Sequence, residues 1–408
     1  MPGRADRPAL VLHVLEAVRG GTSRHVADVV RHAAGVRHVV AVSRPGGDTS
    51  SGAAYDRAAV EAMRRAGARV VETPMHRTPW HPANAVALRD LRRLAGSSGA
   101  DVVHGHSSVG GALARLVGRA EQIPVVYTPN GVAQARPYLM AERALGRWTD
   151  RWVAVSAGEA ELALRHRLAE PADLAVVANG IDLRRPPATA DLRSRLGIPA
   201  GAPLVGTVAR LVAQKAPERF VEVAAAVGAR HPDAHFLLIG MGPLQHLVDA
   251  EVARSGLGRR WHQIRHLDDA PAALAQLDAF VLASRFEGAP YTPLEAMRAG
   301  VPVVLSDVVG NRDAVRDGDS GFLVAPSDTT GMATAVIRLL TDYRLRRSVT
   351  ERAADRVARR FDAALMGRRL EELYAEVATG AASRRSTRRL PQPSESSSTH
   401  SPESIAAQ

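Results

Sequence analysis

Residues Ser284–Val304 read SRFEGAPYTPLEAMRAGVPVV. The apolar run Ala279–Ala283 comes just before, and Val301–Leu305 closes the stretch. Each run is short and apolar, the pattern of a buried strand. Between them a Gly/Pro-rich loop leads into a helix, with Thr292 as N-cap, Pro293 at the first helical position and Glu295 three residues after the cap. A loop and helix between two strands of an open α/β sheet is where such sheets bind ligands. The helix N-terminus offers unpaired N–H groups and a positive dipole end to a phosphate. Two carboxylates flank that position, Glu287 in the loop and Glu295 on the helix, eight positions apart. Taken singly, Glu295 also fits a capping box and Glu287 a solvated loop charge.

A chain of 408 residues exceeds one ordinary core and divides into two domains. With 46% hydrophobic and 23% charged residues it is globular in composition. It has no apolar run of the length a membrane span needs. Arg4 and Arg7 precede ALVLHVL, but His13 and Glu16 interrupt the apolar run, so this reads as a first strand and not a leader. The absence of cysteine excludes disulfides, thiolate metal sites and cysteine nucleophiles, and is compatible with a cytoplasmic protein. The net charge of +11 admits an anionic substrate or a peripheral contact with an anionic membrane face. Nucleic acid is not expected, because aromatics are only 4%, too few for a stacking platform.

Strands alternate with helical patterns along the whole chain, which indicates parallel sheets covered on both faces. The first strand, Ala9–Leu15, is followed by Gly20-Gly21 and a helix from Ser23, a unit that lets backbone approach a phosphate or sugar. G-x-G-x-x-G is missing here, so this is not a dinucleotide fingerprint. Asp101-Val-Val-His104-Gly-His106 ends another strand, and its two histidines point to one face. No third ligand cluster stands beside them, so no metal is expected. The domains read as 1–183, a linker 184–203, 204–360, a terminal helix 361–379 and a disordered tail 380–408. In the second domain Arg210 and Lys215 follow the strand Leu204–Ala209. Lys215 is the one lysine among 53 basic residues. A chain that uses arginine everywhere else has kept a compact point charge at that position.

The string S-x-F-E-G-x-P-x-x-P-L-E-A-M-x-A-G-x-P-V-V resembles the E-x(7)-E signature of the retaining GT-B glycosyltransferases of family 4, also called glycosyltransferases group 1, of the exopolysaccharide and lipid-linked saccharide type. G-G-x-x-R-H-V at Gly20–Val26, R-L-x-x-Q-K at Arg210–Lys215 and the Asp101–His106 strand end are similar to further motifs of that family, and the likeness spans residues 9–378. Relatives place Gly at the position of Ala216 and often His at that of Asn130.

The resemblance implies a GT-B fold, two Rossmann-like doubly wound α/β domains facing a cleft. The acceptor would lie on the first domain and a UDP- or GDP-sugar on the second, with the terminal helix returning to the first. It implies a metal-independent hexosyltransferase without a cofactor, the nucleotide sugar being a substrate. His106, Glu287, Arg210 and Lys215 would be the catalytic set. Gly20, Gly21, Arg265, His266, Gly288, Ala289, Pro290, Leu294 and Glu295 would complete the donor site, with Arg265 and His266 near the base and Glu295 on the ribose. The acceptor is left open: a saccharide, a lipid-linked saccharide or a small molecule. Two other functions share these motifs, a GT-B nucleotide-sugar epimerase and a non-catalytic nucleotide-sugar-binding assembly protein.

Overall fold

The computed structural model describes residues 7–45, 55–133, 135–184, 191–267 and 270–388. The first sheet contains β1 (Leu10–Leu15), β2 (Arg37–Ser43), β3 (Arg69–Thr73), β4 (Val102–His106), β5 (Val125–Thr128), β6 (Arg151–Ala154) and β7 (Leu174–Val176). Its seven strands run in the order β3-β2-β1-β4-β5-β6-β7, all parallel. The second sheet contains β8 (Leu204–Val208), β9 (His235–Ile239), β10 (Trp261–Ile264), β11 (Ala279–Leu282), β12 (Val303–Ser306) and β13 (Phe322–Val324). Its six strands run β10-β9-β8-β11-β12-β13, again all parallel. This is the doubly wound α/β architecture the strand–helix alternation predicts.

Burial explains the near-continuous apolar strands. All six residues of β1 are buried. Leu12 and Val14 face one helical layer with Leu91 and Leu113, while Val11 faces the other with Val29 and Val102. His13 lies on the Val11 face, since alternate strand residues share a face. A polar ring there must find partners inside the protein.

In each sheet the strand order reverses at one pair of parallel neighbours, β1 beside β4 and β8 beside β11. A crevice opens outside the carboxyl ends at such a switch point. Beyond the carboxyl ends of these four strands come Gly20-Gly21 at the start of a helix, Ser107 next to His106, Arg210–Lys215 and Ser284–Glu287.

The helix Ala363–Arg388 packs on the first sheet, where Met366, Leu370, Tyr374 and Val377 join Val11, Val29 and Val126. Gly367 makes this packing close, because a Cβ there would lie 2.3 Å from His32 O. The chain returns to the first sheet through Ile181, whose N–H donates to Phe361 O at 2.8 Å and whose carbonyl accepts from Ala363 N at 3.0 Å.

Two expected boundaries move. The terminal helix runs to Arg388 and not to residue 379, because Ala381, Ala382 and the arginines after Gly380 are good helix formers. The rest of the expected disordered tail lies outside the described residues. The helix after Glu287 spans Tyr291–Arg298, with Pro290 at the N-cap and no side-chain cap bond. Thr292 is therefore not the cap and Glu295 closes no capping box. Pro293 is tolerated inside the first turn, where N–H groups have no intrahelical partner in any case.

Candidate functional site

Glu287 is buried at the switch point of the second sheet. Its Oε1 accepts from Lys215 Nζ at 2.5 Å and from Ser284 Oγ at 2.5 Å. The loops after β8 and β11 are fastened to each other. Arg285 N donates to Gln214 O at 2.8 Å, Gln214 Nε2 to Phe286 O at 3.2 Å, and Arg285 pairs with Glu218 at 2.6 Å. Gly310 N donates to Glu287 O at 3.1 Å. Only glycine fits there, since a Cβ would meet Gly288 O at 2.3 Å. Ala216, next to Lys215, holds φ +44°, a left-handed conformation in which an L residue is strained. Lys215 is thereby held against Glu287 by two loops fastened to each other.

Arg210 is exposed on the same loop. Although its side chain reaches solvent, the surrounding loops strip enough water from the guanidinium to draw its pKa down; Glu287 opposes that, and Arg19 and Arg77 of the first domain lower it further. Cations from both domains therefore face one region, the arrangement that suits a polyanion. Gly288 and Ala289 are partly buried, and Pro290, Leu294 and Glu295 are buried. Arg265 and His266 lie exposed just past the end of β10.

The first domain meets this site directly. Arg24, on the helix Gly20–His32, pairs with Glu295 and with Asp28. Its guanidinium also lies over the Tyr291 ring, 4.4 Å from the centroid. Gly20 holds φ +58°, and Gly21 faces the Tyr291 ring, 3.8 Å from its Cβ position. Asn179 Nδ2 donates to Ala289 O at 3.1 Å. Gly288 abuts Gly131, 3.3 Å from its Cβ position to the Gly131 Cα. Asn130 holds φ +55°, a region asparagine tolerates, and Gly131 N donates to Glu159 Oε1 at 2.6 Å. Glu159 also accepts from Val155 N at 2.8 Å, and burial pushes its carboxyl up to about 7.

His106 ends β4, fully buried. Its Nε2 lies 3.0 Å from His13 Nδ1, and its Nδ1 is buried without a partner. Burial, with the neighbouring histidines, holds both imidazoles well below the usual histidine range. His104 is closed on both sides, by Tyr374 OH at 2.7 Å and Thr128 Oγ1 at 2.8 Å. The expectation that no third ligand joins His104 and His106 does not hold. His13 brings a third ring nitrogen within 4.8 Å of theirs, across a strand pairing that sequence order hides. These nitrogens are already joined by hydrogen bonds, His106 Nδ1 excepted, so the cluster fits a hydrogen-bonded chain better than a metal.

The sequence gives no site role to Arg24, His13 or Tyr291, and Asn179-Gly180 reads there only as a turn at the domain exit. Arg24 lies in the quoted G-G-x-x-R-H-V string. The signal for His13 was a lone polar residue inside a strand buried on both faces.

Comparison with known proteins places this geometry. Residues 19–185 match the model of Glycosyltransferase Family 4, and residues 189–356 match that of Glycosyl transferases group 1. An alpha-D-kanosaminyltransferase from Streptomyces kanamyceticus is 30% identical over 71% of this chain and 81% of its own length. The chain belongs to glycosyltransferase family 4. An Escherichia coli member, named UDP-Gal:alpha-D-GlcNAc-diphosphoundecaprenol alpha-1,3-galactosyltransferase, is 27% identical over 71% of this glycosyltransferase and 79% of its own length. The crystal structure of HepE from Anabaena with UDP and glucose superposes with a TM-score of 0.78, at 19% identity over 90% of this chain and all of HepE. That likeness supports the GT-B fold. No helix among the described residues of this family 4 glycosyltransferase is long and apolar enough to cross a membrane.

Proposed function

We propose that this glycosyltransferase moves a hexosyl group from a UDP- or GDP-sugar to a saccharide, lipid-linked or small-molecule acceptor, with retention at the anomeric carbon and without a metal. The observation that carries the reading is the switch-point constellation of Arg210, Lys215, Glu287 and the Tyr291 helix start, faced by the Gly20–His32 helix of the first domain. In this reading the donor lies on residues 204–360 and the acceptor mainly on 1–183. Charge building on the β-phosphate as the bond to C1 breaks is stabilised by Lys215 and Arg210. Glu287 holds hydroxyls of the donor sugar and orients Lys215, and Glu295 accepts from the ribose. The acceptor oxygen attacks C1 from the face the diphosphate leaves, and the departing phosphate oxygen takes the acceptor's proton. Isolation of a covalent glycosyl-enzyme would overturn that mechanism.

The relatives' names support the donor class. The Escherichia coli member is named for a UDP-galactose donor and a lipid diphosphate acceptor, and HepE has been crystallised with UDP-glucose. The net charge of +11 supports a peripheral contact with an anionic membrane face.

The test is a thermal-shift panel of UDP, GDP, dTDP and ADP with their sugar conjugates, run in EDTA. A donor at a hundred times its dissociation constant adds about 2.7 kcal/mol of stability. One nucleotide is expected to give a clear shift. No shift with any of them removes the donor pocket, and a shift that needs a divalent cation removes the metal-independent site. Donor incubated alone separates transfer from epimerisation, since an epimerase converts the sugar with no acceptor present.

A further inference from the structure

Three histidines form a directed chain beneath the cleft. His38 Nε2 lies 2.8 Å from Ala33 O. A carbonyl only accepts, so Nε2 carries the His38 proton and Nδ1 is bare. His13 Nε2, 3.0 Å away, must then donate to His38 Nδ1. His13 Nδ1 is bare in turn and takes the proton of His106 Nε2 at 3.0 Å. Each neutral imidazole has one proton, so each step leaves a single choice. Burial keeps all three rings neutral. The chain ends on His106 Nδ1, a lone pair buried without a partner. Because a carbonyl closes its other end, it cannot relay a proton outward. What it sets is the tautomer.

A second chain reaches the same place from the other domain. Ala289 O accepts from Asn179 Nδ2 at 3.1 Å, which turns Asn179 Oδ1 toward His25 Nδ1 at 2.9 Å. His25 Nδ1 therefore carries the proton, and His25 Nε2 is bare, buried and unpartnered. The His25 and His106 rings stand edge to face, 5.6 Å apart. Ser107, next along the chain, holds φ +57° and ψ −175°, a region essentially reserved for glycine. Its Oγ is also buried without a partner.

We infer that His38, His13 and Asn179 are positioning residues that hold His106 Nδ1 and His25 Nε2 as bare acceptors for ligand hydroxyls. His104 has no such role, because hydroxyl groups occupy both of its nitrogens. The tautomers stand on the geometry alone, whereas a sugar hydroxyl as the ligand rests on the glycosyl-transfer reading.

The test is the long-range 1H–15N spectrum of histidine-labelled full-length protein, assigned by single His→Gln substitutions and recorded above the histidine titration range. His106 is expected to carry its proton on Nε2, and His25 on Nδ1. His38→Phe removes the carbonyl anchor, and His106 should become a mixture of tautomers. His38→Gln keeps an acceptor for His13 and a donor for Ala33 and should restore the wild-type pattern. A purely structural His38 would lower the melting temperature in His38→Phe and leave the His106 tautomer unmoved. That result, or the opposite tautomer in the wild type, overturns the relay.

The hydroxyl assignment is read with singly deoxygenated and singly fluorinated forms of the nucleotide sugar that binds in the panel. At one ring position both should bind roughly tenfold or more weakly, because fluorine cannot donate. Full affinity of the fluorinated form wherever the deoxygenated form is weak overturns the acceptor wall. Failure of every nucleotide sugar to bind, with the tautomers as expected, sinks the glycosyl-transfer reading and the hydroxyl ligand with it, and leaves the relay standing.

Discussion

Replacing Lys215 by alanine separates two things its ammonium does. In the folded protein it neutralises Glu287 across 2.5 Å, with the two side chains 15% and 4% exposed. Breaking a buried pair by removing one partner costs about 3–5 kcal/mol, because the other charge stays behind. Here Lys215 keeps some contact with water and Ser284 still donates to Glu287, so about 2–3 kcal/mol is expected. Glu287→Ala should cost a similar amount. The double variant leaves no orphan charge, so its loss should fall short of the sum of the single losses by about 1 kcal/mol or more. Activity should behave differently. Loss of one preorganised charge at the leaving group costs about 2.7–4 kcal/mol of barrier, roughly a hundred- to a thousandfold in turnover. The double variant should recover none of it. Urea unfolding of the four proteins of the cycle gives the stabilities, and single-turnover transfer from the donor found by thermal shift gives the rates. Additive stabilities would show that the pair is not coupled. Turnover of Lys215→Ala within a factor of two of wild type would refute the phosphate role.

Glu159 should make stability depend on pH, since burial raises its carboxyl from 4.5 to about 7. The folded state then holds the proton more tightly than the unfolded one, so the stabilisation is complete below 4.5 and is lost as pH rises to about 7. The change is at most about 3–4 kcal/mol at 1.36 kcal/mol per unit. Glu159→Gln should flatten that slope in urea midpoints measured across the window, and an unaltered slope would assign the titration elsewhere. Arg24→Ala frees Glu295, with a guanidinium 35% exposed. If Arg24 competes with the ribose, nucleoside diphosphate should bind up to roughly fivefold tighter, about 1 kcal/mol, while transfer slows as the two domains lose a contact. Calorimetry showing the same affinity as wild type would exclude the competition. Ser107→Gly relieves a conformation that costs about 1–3 kcal/mol, less the greater freedom of unfolded glycine. It should unfold at higher urea than wild type, and a lower midpoint would show that the Ser107 hydroxyl matters more to stability than the strain.

Much of the fold was legible in order along the chain. Short apolar runs such as Val125–Thr128 and Ala279–Ala283, separated by helical patterns, specify parallel strands because burial on both faces leaves no polar side to alternate. Lys215 and Glu287 were legible from residue type and motif. The cap at Thr292 was misread, because a Thr-Pro pair satisfies the local rule for a helix start equally well two residues inside a real one. Tertiary packing chose Tyr291, whose ring fills the contact with Gly21 and Arg24.

By itself the sequence determined the doubly wound architecture, the family and the identity of the charged groups on each loop, since these follow from local periodicity and from spacings within one strand–loop–helix unit. Only the tertiary structure decided which of those groups meet. Arg24 reaches Glu295 across 271 positions, and His13 reaches His106 across 93. His104 and His106 are alike as letters, two apart on one strand face. Their roles divide only when Tyr374 returns from the last helix to occupy His104, while His13, held in turn by His38, fills one side of His106 and leaves its other nitrogen bare. A buried polar atom's chemistry is set by which partners surround it in space, and chain order carries no record of that.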